Sequence, residues 1–157
     1  MAKPWKIPYL NPGDKLKVCL PKILTTRIRE TFSYEEGTIE GSDIEALHNM
    51  RVSTRRLQST MKIFRDCFPQ KKFKYHYRKI RRLLRLLGQI RDYDVFIDRL
   101  ERYRQALPQR DRAAVELLIA RQKNLRFKER RVLLRELRAL REESYQHCFV
   151  QFVAEAL

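Results

Sequence analysis

Apolar residues recur along this chain at the 3.6-residue period of amphipathic helices, and no segment shows the two-residue period of a strand. Between Ile44 and Phe68, Leu47, Met50, Leu57, Met61, Phe64 and Phe68 fall on one side of a helix. Ser42 followed by Glu45 predicts a capping box at its start, and Pro69 predicts its end. A first, shorter helix is predicted over about 21–34, with Pro21 in its first turn and Ile23, Leu24, Ile28 and Phe32 inward. Glu35 to Gly41, with two glycines, reads as a loop. Residues 1–13, broken by Pro4, Pro8, Pro12 and Gly13, read as an irregular arm.

A third helix is predicted from about residue 71, after a turn short enough to force an antiparallel return. Phe73, Tyr77, Ile80, Leu83, Leu84 and Leu87 form its inner stripe. Past Gly88 the apolar residues Val95, Phe96, Leu100, Tyr103 and Leu107 leave that line. A kink or local break between Gly88 and Val95 is therefore expected. Pro108 closes this helix and opens a fourth over about 109–154. Its inner side is read as Val115, Leu118, Leu125, Val132, Leu133 and Leu140, with an apolar tail from Tyr145 to Leu157. The expected fold is all-α: an antiparallel four-helix bundle with long helices 2–4, forming one domain over 14–157.

Charge adds a partner to this picture. Lys and Arg number 35 against 19 Asp and Glu, a formal net charge of +16, and 23 of the cations are Arg. Such an excess points to a polyanion, and the planar Arg fork suits paired phosphate oxygens. The cations are also ordered. His48, Arg51 and Arg55, at offsets of 0, 3 and 7, share a face with Ser59 and Lys62, nearly opposite the apolar stripe; Arg56 adjoins them. The third helix repeats the arrangement with Arg78, Arg81, Arg82 and Arg85, and Lys79 lies among them. The fourth carries Arg121, Lys128, Arg131, Arg135 and Arg138, and the first four of these are expected to join the anion-binding surface. Like charges so spaced repel by a few tenths of a kcal/mol per pair, roughly, a cost that a bound anion removes. If helices 2 and 3 pair through their apolar sides, their basic rows flank one groove.

Other chemistry finds little footing. Arg91 and Asp94 lie about 60° apart on a helix and are read as a structural ion pair that fixes the kink. Asp92 and Asp94 lie about 160° apart, too far round for one metal ion. The basic faces hold no clustered carboxylates, no Gly-rich phosphate loop and no paired His. No catalytic residue, metal or cofactor is expected, and the chain is read as a binding protein, not an enzyme. Cys19, Cys67 and Cys148, odd in number and far apart, fit a reducing cytosol better than a disulfide framework or a zinc site. The N-terminus lacks the apolar core of a signal peptide, and no apolar run approaches membrane-spanning length, so no membrane partner is expected. Nucleic acid is the alternative polyanion, although no zinc-finger, helix-turn-helix or RRM signature is present.

The run HNMRVSTRRL, followed by KIRRLLRLLGQIRDYDV, resembles the conserved histidine α-helical domain, the CHAD family. The resemblance spans about residues 15–150. It implies an all-helical domain that binds inorganic polyphosphate, often on cytoplasmic polyphosphate granules, and that occurs beside triphosphate-processing CYTH domains. A CYTH-domain protein is thus an implied partner. By position, the family's histidine is His48. Its basic residues are Arg51, Arg55 and Arg56 on one helix, and Arg78, Lys79, Arg81, Arg82 and Arg85 on the next, with Arg91 and Asp92 closing the motif. Family domains hold two related helical halves around a shared channel, and this chain resembles the first half of such a domain. A homodimer is therefore expected, each copy contributing a His48 row.

Overall fold

The computed structural model describes residues 3–156; Met1, Ala2 and Leu157, which the readings of the arm and the tail include, lie outside them. The described residues form six α-helices and no strand: α1 Leu16–Phe32, α2 Glu35–Glu40, α3 Ile44–Ile63, α4 Gln70–Ala106, α5 Arg112–Glu142 and α6 Tyr145–Ala156. The fold is all-α. The four predicted helices correspond to α1, α3, α4 and α5, while α2 and α6 are additional elements.

Most helix ends fall close to their sequence signals. Asp43, one residue past the expected Ser42, caps α3, and its Oδ1 accepts from the Glu45 backbone N–H at 2.8 Å. A 3₁₀ turn over Arg65–Cys67 ends that segment before Pro69. At α1 the prediction fails by five residues. The helix starts at Leu16 and Pro21 lies in its second turn, where its missing N–H costs one bond to the exposed Lys17. The expected loop at Glu35–Gly41 is largely the short helix α2, closed by Gly41 in the left-handed region at φ +69°.

The largest correction concerns α4, which runs unbroken for 37 residues, about 55 Å. Its buried positions are His76, Ile80, Leu83, Leu87, Ile90, Asp94 and Ile97, with Leu86 beside them. Their alternating spacing of four and three is the heptad pattern of a continuous seam. The predicted phase change arose because His76 and Asp94 are polar residues at core positions. Phe96 and Tyr103, taken as the new stripe, are instead exposed. No kink is needed.

α4 has α3 on one side and α5 on the other; α1 packs on α3 and α6, and α6 also meets α5. Ion pairs fix the α4–α5 register: Lys79 with Glu143, Arg82 with Glu136, Asp94 with Arg126 and Glu101 with Lys123. Their opposite order along the two helices makes the pair antiparallel. Leu57, Leu83, Leu87, Leu133 and Leu137 meet in one core with Leu20, Leu24 and Ile28 of α1. Each fully buried side chain of this kind contributes about 1.5–3 kcal/mol.

α6 is a second correction. The fourth helix was expected to continue to about residue 154. It stops at Glu142, and Ser144, at φ +48°, turns the chain. Tyr145, Phe149, Phe152 and Val153 then enter the core instead of forming an exposed tail. Tyr145, Phe149 and Phe152 surround His76, which stacks on Phe152 at 4.3 Å between centroids, while the Tyr145 hydroxyl donates to the His76 carbonyl at 3.2 Å. Burial first, then Lys79 and Lys72, push the His76 pKa down to about 4.

His76 is therefore neutral in the fold, whereas it titrates near 6.5 when unfolded. The folded state binds fewer protons below pH 6.5, so stability is lost as pH falls from about 6.5 towards 4, by about 3 kcal/mol in full. In His76→Phe, the ring remains and the titration goes. Urea midpoints measured between pH 4 and 7 should fall with acid in the parent chain and flatten in the variant.

Candidate functional site

The middle of α3 organises the cationic surface, and α1 contributes to it unexpectedly. Glu30 of α1 is fully buried, and its carboxylate holds Arg27 on one oxygen and Arg56 of α3, at 3.1 Å, on the other. The backbone N–H of Trp5 also donates to it, at 3.3 Å. Removing one partner from a buried pair costs about 3–5 kcal/mol, so this network fixes both guanidinium groups firmly. Arg55 and Ser59 stand next to them: Pro4, Arg27, Arg55, Arg56, Ser59 and Thr60 line a depression of about 350 Å³. Neither Arg27 nor Glu30 was singled out from the sequence. A lone acid at a core position of a basic chain was the available signal.

On its other flank α3 meets α4. The Arg51 Nε lies beside Gly88, where an added Cβ would sit 3.7 Å away, an ordinary contact. His48 shares this end of the seam. Burial, then Arg91 and Arg51, hold its pKa below the usual imidazole range, and Glu45 acts in the opposite sense. The His48 Nδ1 and Arg51 Nε are both buried with no hydrogen-bond partner among the described residues. The structure thus brings His48, Arg51 and Arg91 together. Arg91 does not pair with Asp94, as was expected from their spacing. Asp94 is buried against Arg126 of α5, and its second oxygen has no hydrogen-bond partner among the described residues. The reason is rotational: Asp94 belongs to the inner seam of α4, which faces α5 and the core.

The remaining predicted cations divide by whether an acid reaches them. Lys79 is held by Glu143, with its ammonium 5.3 Å from the Tyr75 ring centre and 5.7 Å from that of Tyr145. Burial opposes its charge, but Glu143 and Tyr75 outweigh it and raise the Lys79 pKa. Arg82 is held by Glu136 at 2.7 Å. With Arg56, these residues brace helix seams. Arg78 donates to the carbonyl of Lys74 at 3.3 Å. By contrast, Arg55, Lys62, Arg81, Arg85, Arg121, Lys128, Arg131 and Arg135 are exposed, and no carboxylate lies within 4 Å of any of them among the described residues.

Two further arginines of α5 act on the scaffold. Arg130 donates to the carbonyls of Thr38 and Ile39 at 3.1 and 2.7 Å, satisfying the open end of α2. Its guanidinium fills the space beside Gly41, where a Cβ would approach within 2.3 Å. Arg141 holds Glu35 and Glu36 at the other end of α2. The short helix is thereby clamped against the start of α3, where Gly37 faces Ala46.

The site is a basic, shallow surface whose half-buried end contains a histidine and two arginines. No helix among the described residues is long and apolar enough to cross a membrane. No curated protein matches the chain. The family model described as CHAD domain matches residues 22–157, which include His48, the three α3 arginines and the whole of α4. The chain belongs to the CHAD domain family.

Proposed function

We propose that this protein binds linear inorganic polyphosphate, without catalysis, along the α3 face and its seam with α4. The observation that carries this reading is the absence of acids: no Asp or Glu occurs from Ala46 to Arg65 or from Cys67 to Arg91. Over the same stretches Arg55, Lys62, Arg81 and Arg85 stand exposed, with no carboxylate within 4 Å among the described residues. A ligand with a charge on every unit and no bases suits such a surface through charge-assisted, forked hydrogen bonds. A single-stranded nucleic acid would call for large rings among the cations, and α3 contains no Phe, Tyr or Trp. Membership of a family associated with polyphosphate supports the same choice. The setting proposed is the cytoplasm, on polyphosphate granules, with a CYTH-domain protein as partner.

Two copies are further proposed to associate through the far end of the α4–α5 hairpin. There α4 outruns α3 and leaves Phe96, Tyr103, Leu117 and Leu118 exposed. An isologous contact through this patch would place two His48 rows on one assembly.

Three measurements test these proposals. Arg51→Ala with Arg55→Ala should weaken long-chain polyphosphate binding and flatten its salt dependence by about 1.4 in log–log slope, with helicity retained. Unchanged affinity in that double variant would remove the α3 groove. A bound polyanion should raise the depressed His48 pKa, so binding takes up protons. Affinity should then rise as pH falls through the bound-state pKa and level off below the free-state value. His48→Gln should abolish that rise, and a full response in the variant would exclude His48 as the linked group. Light scattering on a sizing column at moderate salt should report a dimer with polyphosphate present, and a monomer with and without ligand would refute the association.

A further inference from the structure

α5 carries a row of cations that the α3 groove does not use. Lys128, Arg131, Arg135 and Arg138, at offsets of 0, 3, 7 and 10, lie opposite the buried Leu133, Leu137 and Leu140. All four are exposed, and none has a carboxylate within 4 Å among the described residues. With Val132 and Leu134 they line a depression of about 630 Å³ formed by α5 alone.

This row is separated from the groove by distance and by charge. α3 and α5 each pack along α4. α4 therefore stands between their outward faces on the surface, each neighbouring pair of axes being about 8–10 Å apart. The acids of the intervening α4–α5 seam, Glu136 and Glu143, interrupt the positive surface there. The register supplies one way across. Arg51 beside Gly88 sets Arg55 level with Leu84 and Arg85 in the antiparallel α3–α4 pair. Lys79 with Glu143 and Arg82 with Glu136 set Arg85 level with residues 133–137 of α5. Arg55, Arg85 and Arg135 thus stand at about the same height along three neighbouring helices, and all are exposed.

We propose that the outward face of α5 is a second polyphosphate-binding surface, and that a long chain crosses α4 at Arg85 to occupy it together with the α3 groove. This rests on the polyphosphate reading given above. A short chain is confined to one surface. A long chain, once held in the groove, meets the α5 row at a high effective concentration, so its affinity gains without any new contact in the groove. The protein would then select long polyphosphate over short by geometry.

The test uses the full chain and the variant Arg131→Ala/Arg135→Ala/Arg138→Ala, whose exposed positions leave the core intact, with helicity and melting measured alongside. Both are titrated with tripolyphosphate and with long-chain polyphosphate at two salt concentrations. The variant should bind tripolyphosphate within about twofold of the parent. Its affinity for the long chain should fall by about tenfold or more, with the salt slope shallower by about 2. Equal losses for both lengths would merge α5 with the groove and overturn the proposal, and so would an unchanged affinity for the long chain. If the parent chain binds neither length, the polyphosphate function itself falls, a result distinct from either of those.

Discussion

With 19 acids to neutralise 35 cations, this chain cannot pair every positive charge, so the placement of its acids decides which cations are scaffold and which are surface. The buried acids lie between helices. Glu30 ties α1 to α3 through Arg56, and Asp94 ties α4 to α5 through Arg126. Glu136 and Glu143 brace the same α4–α5 seam further along. Partial burial makes such pairs stronger than surface ones and makes each partner dependent on the other. The acids thus hold the helices in register and leave rows of exposed cations, such as Arg55, Arg85 and Arg135, on α3, α4 and α5.

The long α4 transmits that arrangement. Its heptad seam is continuous, yet two of its core positions are polar, and each has its own solution. His76 is stacked among the rings of α6 and kept neutral by burial, while Asp94 stays paired with an arginine. Because the seam does not break, the outward row from Arg78 through Arg85 stays straight. Because α4 packs on both α3 and α5, the rows of those helices are fixed relative to it. α2 adds a local constraint, since Arg130 and Arg141 hold it across the start of α3, where His48 is half-buried.

The unneutralised faces store repulsion. Each like-charge neighbour costs little on an exposed helix, but the pressure of Arg91 and Arg51 on His48 shows how the costs concentrate where burial begins. A bound polyanion would relieve all of these at once, which couples ligand affinity, the protonation of His48 and the stability of the bundle. On the proposed reading, the same physics would favour ligands of high charge density. A ligand that supplies closely spaced anionic oxygens along a flexible chain gains most.

The sequence by itself determined the class of fold and the side of each helix that carries charge. The α3 stripe of Leu47, Met50, Leu57 and Met61 is buried as its period required, and His48, Arg51 and Arg55 lie away from the core centre. These are local properties, fixed by 3.6-residue geometry and by side-chain hydration. Tertiary structure alone decided the partners. Nothing in the spacing of Arg91 and Asp94 could reveal that Asp94 turns inward to Arg126, 32 residues away, or that Glu30 would bring Arg27 beside Arg55. The apparent break after Gly88 had the same origin, since a polar residue at a seam position is indistinguishable from a surface one until its partner helix is known. The end of α5 at Glu142 was hidden for a related reason: α5 and α6 bury their apolar sides against different neighbours, which no local signal distinguishes from one continuous helix. Charge pairing across helices depends on register, and register is set only when the core closes.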